Sequence, residues 1–416
     1  MSLFVPKGAQ GGPGSPNTIL PRFEFSNDGK VWNKVADIEL GVAPTTLSFA
    51  PLTARHFRVV LAANPRAGYS PFKAAPGADT RVLTALSQPS PTLTIAQLRL
   101  SNEAKINRFE TKAGFLVVDD YYGLDAHVGP DLKGVAPTDV MDISAHMKSD
   151  GTLDWTPPPG RWRIVRFGYS LLGKTNHPAP PEATGLEVDK FDRRAVREYM
   201  EHYIGMYKDA AGADLVGSRG VRAILTDSIE IGASNWTPGL IDHFRRLRGY
   251  DPTPYLPTLI GTIVGSRQQS DAFLHDFRRT LGDLMASEHY GTVAQVAHEH
   301  GLKVYCEALE SERLSLGDDI DMRKYADYPM AALWTYRRED GPRDKYRADM
   351  KGASSTAHVY GKTVVAAESM TSVLAPWGHA PADLRRIIDL EFAHGINRPV
   401  VHTSVHQPLD DKRPGL

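Results

Sequence analysis

The sequence has almost no cysteine, no long hydrophobic run and almost no net charge, and each shortage excludes a class of protein. A single cysteine, Cys306, excludes an intrachain disulfide. No run of 18 or more apolar residues occurs, so a membrane-spanning helix is not expected. The 48 Lys+Arg nearly balance the 49 Asp+Glu, and a net charge of −1 gives no sign of a nucleic-acid or membrane-surface partner.

Both ends of the sequence also lack features that complete proteins often carry. The N-terminus runs from Met1 into a Gly/Pro-rich stretch at 11–16, without a charged and then apolar secretion signal. The C-terminus stops in turn-like residues 412–416 directly after a predicted strand, with no closing helix. We therefore expect a piece of a longer protein, truncated at its C-terminus.

What is present predicts two or three domains in 416 residues. Residues 17–103 contain short alternating strands separated by turn signals, which predicts an all-β sandwich. The run from Phe25 to Trp32, with Asn27-Asp28-Gly29 at its turn, and the strand at 95–100 resemble a discoidin-type, galactose-binding-like jelly roll. Residues 104–160 are mixed and predict a β-rich linking region.

From residue 161 to 416, strands and helices alternate, which predicts a parallel sheet covered by helices. Six strands are predicted, at 163–171, 221–230, 302–310, 328–334, 363–368 and 398–408. No Gly-rich phosphate loop follows any of them, which disfavours a doubly wound nucleotide-binding fold. We therefore predict an α/β chain with a (β/α)8-type (TIM) barrel preceded by the sandwich, although six strands are two short of a closed barrel.

Carboxylates follow three of these apolar strands. They are Asp227 and Glu230, Glu307 and Glu310, and Glu368. Because the carboxyl ends of parallel strands meet at one face of a barrel, these side chains are expected to converge. A converging pair suits general acid and base catalysis of glycoside hydrolysis, whereas several oxygens together also suit calcium. The alternative interpretation of each acid is a helix cap or a solvated loop residue.

The motifs around these acids resemble those of glycoside hydrolase family 106. They are Pro157-Pro158-Pro159-Gly160-Arg161-Trp162, Gly173-x-x-Asn176, Gly185-Leu186-Glu187-x-Asp189-Lys190, Asp227-Ser228-x-Glu230 with Asn235-Trp236-Thr237, Ala367-Glu368, and His402 with His406-Gln407-Pro408. The match runs from about residue 155 to the C-terminus. The resemblance implies a barrel α-L-rhamnosidase that inverts the anomeric centre and depends on calcium.

Carried over to this sequence, the resemblance implies Glu230 as general acid and Glu368 as the general base that activates water. It implies substrate contacts from a larger set of residues, and it leaves Asp227, Glu307 and Glu310 as candidates for either the calcium site or hydroxyl contacts, with the metal assigned to Glu310. The implied substrate-binding residues are Asp227, Asn176, Trp236, Glu307, His402 and His406. An inverting pair is expected to lie roughly 6.5 to 9.5 Å apart.

The sequence thus predicts an enzyme that removes terminal α-L-rhamnose from a glycan or glycoside. Two alternatives stay open: a noncatalytic carbohydrate-binding protein with a degenerate barrel, and a retaining glycosidase that uses the same carboxylates. The expected partner is a carbohydrate, with no nucleic acid and no membrane. The resemblance places the full-length parent in the periplasm or outside the cell.

Overall fold

The computed structural model describes most of the chain. The described residues are 1–6, 9, 17–67, 74–78, 92–117, 124, 131–176, 179–308, 317–372, 375 and 377–402. Within these ranges, no helix is both long and apolar enough to cross a membrane. The N-terminal part is built from antiparallel sheets and the C-terminal part from a parallel sheet with helices.

Two antiparallel sheets of three strands each form the N-terminal part. The strands are β1 (Ser2–Phe4), β2 (Ile19–Ser26), β3 (Asn33–Asp37), β4 (Thr45–Thr46), β5 (His56–Ala63) and β6 (Gln97–Arg99). Sheet orders are β4-β1-β6 and β3-β2-β5, and apolar residues such as Leu3, Phe23 and Ile38 fill the core between them. The alternating pattern therefore predicted β-structure correctly, but the described strands are too few and too short to establish the jelly roll.

A short helix, α1 (Phe109–Lys112), ties this part to the helical half of the chain. The ammonium group of Lys112 lies 2.7 Å from a carboxylate oxygen of Asp271, and both side chains are buried. The Arg278 guanidinium donates to the main-chain oxygen of Lys112 at 2.8 Å. A buried pair of charges is costly to separate, so these contacts fix the linking segment against the second half.

Five parallel strands form the sheet of the C-terminal part. They are β7 (Ala223–Thr226), β8 (Lys303–Glu307), β9 (Tyr328–Leu333), β10 (Ala366–Ser369) and β11 (Arg398–Val401). The strands are neighbours in the same order as in the chain, so every crossover moves in one direction, as in a barrel wall. The described sheet is thus a parallel half-barrel, and the closed eight-stranded barrel is not established.

The helices cover this sheet. They are α2 (Arg193–Ala211), α3 (Leu240–Arg248), α4 (Arg267–Leu284), α5 (Gly291–Glu299), α6 (Asp319–Arg323), α7 (Asp344–Val359) and α8 (Pro381–Ala393), with a π-helix at Met285–Tyr290 and 3-10 helices at Pro137–Asp139, Ser144–His146, Pro181–Ala183, Ala213–Leu215 and Thr253–Ile260. Asp192 caps α2, and Ser266 with Gln269 forms a capping box on α4, which satisfies N–H groups that the first turn leaves open. The π-helix separates α4 from α5 within one continuous helical stretch that runs from Arg267 to Glu299.

The strand predicted over 163–171 does not form. Its apolar side chains are exposed, with Ile164 at 58% and Leu171 at 81%. A strand is stable only when a neighbouring strand takes its main-chain hydrogen bonds, and no described strand lies alongside this segment. Hydrophobic content alone therefore does not predict a strand here. Each of the other five predicted ranges overlaps a described strand, while residues 309–310 and 403–408 of two of them lie outside the described residues.

A buried carboxyl group lies behind the sheet, on the helix side of β10. Glu391 of α8 is fully buried, and its Oε2 lies 2.9 Å from Ser369 Oγ, which itself lies 3.1 Å from the main-chain oxygen of Ala367. A hydroxyl carries one proton, so both contacts are satisfied when Glu391 is protonated and donates to Ser369. Burial raises the pKa of Glu391 from its ordinary 4.5 to about 7, and a hydrogen bond from Ser369 to the ionised carboxylate acts in the opposite direction.

We expect this group to make stability fall as the pH rises. The unfolded chain ionises Glu391 near pH 4.5 and the folded protein only near 7, so its contribution is complete below 4.5 and lost above 7. The loss is about 3 kcal/mol of unfolding free energy. Urea unfolding of Glu391→Gln, whose amide still donates to Ser369, should lack this slope. The exposed Glu198→Gln on α2 is the control, and equal slopes in wild type and Glu391→Gln would contradict the assignment.

Candidate active site

Three carboxylates meet at the carboxyl edge of the parallel sheet. Asp227 follows β7, Glu307 ends β8, and Glu368 lies in β10, near the end of that strand. Each offers an oxygen that lies within 4.8 Å of the other two. Glu307 and Glu368 are buried, at 2% and 7% exposure, whereas Asp227 is exposed. The convergence predicted for the strand ends is therefore found for these three acids.

Such a cluster needs a positive charge or a shared proton. Ionised carboxylates at this spacing repel one another, and burial of two of them weakens screening by water. Clustered carboxylate oxygens match the ligand preference of calcium and of other hard divalent cations. Asp227, Glu307 and Glu368 therefore fit a cation by number, type and spacing.

Glu230 lies beside this cluster, not within it. The Ser228 hydroxyl is 3.3 Å from Oε1 of Glu230 and 3.5 Å from Oδ1 of Asp227, so it links the two acids. Ile229 between them is buried, at 3% exposure, and anchors the segment in the core, while Glu230 itself is exposed. The chain after β7 thus presents one carboxylate to the cluster and a second one to its rim.

The Glu368 carboxylate has a partner that the sequence did not suggest. Thr371, three residues later, donates its hydroxyl to Oε1 of Glu368. The same hydroxyl lies 3.0 Å from Nδ1 of His402, and that nitrogen lies 3.6 Å from the Glu368 oxygen. His402 was predicted to contact sugar, and the structure places it against Glu368. A hydroxyl residue shortly after a strand-end acid was the available signal for Thr371, and it is a weak one.

A fully buried arginine supports the strand between the acids. Arg323 pairs with Asp319 and Asp349, and its Nε donates to the main-chain oxygen of Met330 at 2.8 Å. The other oxygen of Asp349 accepts the N–H of Ala332 at 2.7 Å, and Ala332 lies directly opposite Glu368 in the sheet. The network therefore fixes β9 beneath the site, where the sequence is purely apolar.

Two further predicted contact residues lie in loops. The ring of Trp236 stacks on that of Tyr169, with centroids 6.4 Å apart. The Asn176 amide accepts from the N–H of Gly185 at 2.7 Å and donates to the oxygen of Ala183 at 3.0 Å. Asn176 therefore holds a turn together through its side chain, and its predicted role in substrate binding stays a prediction.

The remaining predicted residues fall elsewhere. Glu310 and His406 lie outside the described residues. Cys306 is buried within β8, and burial raises the pKa of its thiol to about 12. A thiol that holds its proton so firmly is a poor nucleophile, so Cys306 acts as a buried core residue.

Comparison with known proteins places this site in a family. The profile of glycoside hydrolase family 106, described as alpha-L-rhamnosidase, matches residues 27–416. Over 294 residues the chain is 39% identical to a Formosa agariphila protein named "Putative beta-glucuronidase", an alignment that covers 70% of this chain and 24% of that protein. The solved structure of a rhamnosidase from Novosphingobium sp. PP1Y superposes with a TM-score of 0.83 at 56% identity, over 99% of this chain and 36% of that one.

The chain spans about a quarter of the Formosa agariphila protein and about a third of the Novosphingobium one. The family profile nevertheless covers nearly the whole of the present chain. The chain therefore belongs to glycoside hydrolase family 106, the α-L-rhamnosidase family.

Proposed function

We propose that this protein is the catalytic portion of a glycosidase that removes terminal α-L-rhamnose with inversion at the anomeric carbon. The observation that carries the proposal is the meeting of Asp227, Glu307 and Glu368 at one edge of the sheet, with Glu230 on the rim. Two carboxylates in different surroundings are what acid and base catalysis of glycoside hydrolysis needs. The identity of the sugar in this proposal rests on the family membership.

In the proposed reaction, Glu230 gives its proton to the departing glycosidic oxygen as the bond to C1 breaks. Glu368 takes a proton from a water molecule, whose oxygen forms the new bond to C1 on the opposite face. The exposure of Glu230 suits contact with a leaving group of variable size. The burial of Glu368 and its hydrogen bond from Thr371 suit a base that must be held in one orientation.

We also propose that calcium binds beside Glu368, held by Asp227 and Glu307, whose oxygens fit such an ion. When bound, it neutralises part of the cluster's charge and polarises sugar hydroxyl groups. Asp227 and Glu307 would hold the ion, while Thr371 engages Oε1 of Glu368 and leaves its other oxygen to take the proton from water.

The name of the Formosa agariphila relative makes β-glucuronide hydrolysis a second candidate. A glucuronide carries a carboxylate on C5, where rhamnose carries a methyl group. Three carboxylates already share this edge of the sheet, so a further negative charge is disfavoured unless a cation screens it. Because the proposed calcium would supply that cation, the choice of rhamnose over a glucuronide rests on the family membership.

Several wider features remain part of this proposal. We propose that the half-barrel belongs to a (β/α)8 barrel, that the N-terminal sheets form a discoidin-like sandwich, and that the domain boundaries lie at 17–103, 104–160 and 161–416. The strand order and the antiparallel pairing support the first two. A periplasmic or secreted location of the parent protein rests on the family resemblance alone.

We expect the protein to release p-nitrophenol from p-nitrophenyl α-L-rhamnopyranoside faster than from the corresponding β-D-glucuronide. Proton NMR of the first minutes of reaction should show β-L-rhamnose as the first anomer, since water attacks opposite the leaving group. Dialysis against a chelator should lower the rate, and added calcium should restore it.

Each other outcome of this assay has a definite meaning. Faster cleavage of the glucuronide would make the β-glucuronide, and not the α-L-rhamnoside, the favoured substrate. First formation of α-L-rhamnose would indicate a retaining enzyme. A protein inert on both glycosides, in the presence of calcium, would support a noncatalytic carbohydrate-binding role. A rate that is unaffected by chelation would remove calcium from the proposal.

A further inference from the structure

The turn after β10 has a backbone conformation that its residue does not favour. Met370 has a φ of 69°, in the left-handed region that glycine adopts without strain. Two main-chain bonds hold it there: the N–H of Met370 donates to Leu333 at 3.1 Å, and the N–H of Thr335 donates to Thr371 at 2.8 Å. A disfavoured conformation that its surroundings impose often serves a site.

The consequence of this turn is the position of Thr371. The reversal of the backbone at Met370 brings the side chain of Thr371 back beside Glu368. Only 4% of Thr371 is exposed. The hydroxyl therefore lies between the Glu368 carboxylate and Nδ1 of His402, with the His402 contact at 3.0 Å. The backbone N–H of His402 also donates to Ser369 at 3.0 Å, which fixes the base of that side chain.

The protons available in this chain of hydrogen bonds, from Glu368 through Thr371 to His402, determine which ring nitrogen of His402 carries a proton. An ionised carboxylate only accepts, so the single hydroxyl proton of Thr371 points to Glu368. The contact between Thr371 and Nδ1 then needs its proton from the imidazole. His402 is therefore protonated on Nδ1, and in the neutral ring Nε2 becomes a hydrogen-bond acceptor.

The surroundings of Nε2 indicate what it accepts. The His402 side chain is 43% exposed, whereas that of Glu368 is only 10% exposed. No residue in the described part of the chain forms a hydrogen bond with Nε2. The nearby groups Asp227, Glu307 and Glu368 are acceptors when ionised, so this rim suits a ligand rich in hydroxyl donors.

We propose that Thr371 is a positioning residue that orients the Glu368 carboxylate and selects the Nδ1–H tautomer of His402, and that Nε2 of His402 accepts a hydrogen bond from a sugar hydroxyl. The proposal rests on the proposed glycosidase function, because it takes Glu368 as an ionised base. It deepens that function by adding an acceptor for the bound sugar. The strained turn at Met370 places the Thr371 hydroxyl between Glu368 and His402.

Four variants separate the two roles. Thr371→Val removes the hydroxyl at nearly constant volume, and Thr371→Ser restores it. His402→Asn keeps a donor near the place of Nδ1 and removes the acceptor, whereas His402→Gln keeps an acceptor near the place of Nε2. Thr356→Val is the matched control, because Thr356 is also fully buried and its hydroxyl bonds only within α7, to Gly352 at 2.8 Å.

We expect Thr371→Val to lower kcat by about 10- to 100-fold with little change in KM, since a misaligned base slows the chemical step. Thr371→Ser should recover most of the rate. His402→Asn should raise KM by about 5- to 10-fold with a smaller effect on kcat, as expected for one lost hydrogen bond, and His402→Gln should retain more of the affinity. Thr356→Val should match the wild type.

A readout independent of activity accompanies the kinetics. In protein labelled with ¹⁵N-histidine, the signal that His402→Asn removes should show an Nδ1–H pattern, and Thr371→Val should alter it. An Nε2–H pattern in the wild type, or kinetic constants of Thr371→Val within twofold of the wild type, would overturn the proposal. If the wild type hydrolyses no glycoside, the proposed function fails, yet the tautomer measurement still decides the state of His402.

Discussion

Glu368→Gln is expected to lower kcat for rhamnoside hydrolysis by about 10³-fold, within the range that general base catalysis supplies. Glutamine has nearly the same shape and can still accept the Thr371 hydroxyl at its amide oxygen, but it cannot take a proton from water. The loss should therefore fall on kcat, while substrate binding changes less. Initial rates at saturating substrate measure the effect.

A rescue experiment tests the role of Glu368 more sharply. In Glu368→Ala, the space left by the carboxylate can admit azide, which attacks C1 without needing a base. An inverting enzyme should then convert the α-L-rhamnoside into β-L-rhamnosyl azide with release of the alcohol. Formation of the α-azide would instead require a covalent glycosyl-enzyme intermediate, so Glu368 would be the acid/base residue of a retaining enzyme and another group its nucleophile.

Glu391→Gln is the matched control for Glu368→Gln. Both residues are buried glutamates associated with β10, but Glu391 lies behind the strand and bonds to Ser369 on the helix side. It should keep near-normal kcat. Equal losses in the two variants would mean that burying an amide in this strand region damages the fold, and a Glu368→Gln rate within tenfold of the wild type would remove Glu368 as the base.

Glu230→Gln should have the second large effect, and its size should depend on the leaving group. For an alkyl or sugar leaving group, which departs poorly without a proton, kcat/KM should fall by about 10³-fold. For a 2,4-dinitrophenyl rhamnoside, whose phenolate departs readily, we expect less than about a tenfold loss, because little help from a general acid is needed. Comparison of the two substrates with one variant measures this difference.

The adjacent acid provides the control for this prediction. Asp227 is linked to Glu230 through Ser228 but belongs to the carboxylate cluster. Asp227→Asn should therefore slow both substrates to a similar extent and weaken calcium binding. If Glu230→Gln slowed both substrates equally, Glu230 would belong with the binding groups, and the proton donor would have to be sought elsewhere.

The positions of the acids show which parts of the site a strand pattern in the sequence can predict. An apolar run that ends in a carboxylate indicates a strand delivering that side chain to the sheet edge, and this held for Asp227, Glu307 and Glu368. The pattern did not predict which of the acids at the sheet edge lie close to one another. Sequence reasoning predicted Glu230 as the general acid and Asp227 as a substrate contact, and these roles stay predictions. The structure groups Asp227 with Glu307 and Glu368, and Ser228 links it to Glu230.

Other features were out of reach because they depend on distant parts of the chain. The residues at 163–171 have the composition of a strand, but pairing requires a neighbour, and neighbours are a tertiary property. Arg323 and Asp349 carry no motif, yet they meet beneath β9 and hold its backbone. The sequence of α8 does not predict that the side chain of Glu391 is completely buried.

The sequence by itself determined the family, the alternation of strands and helices, and the acids at the strand ends, because periodicity and short motifs are local properties of the chain. Only the tertiary structure decided which acids share a site and that Thr371 lies between Glu368 and His402. That contact depends on a left-handed turn at Met370, which strand neighbours impose and residue type alone disfavours.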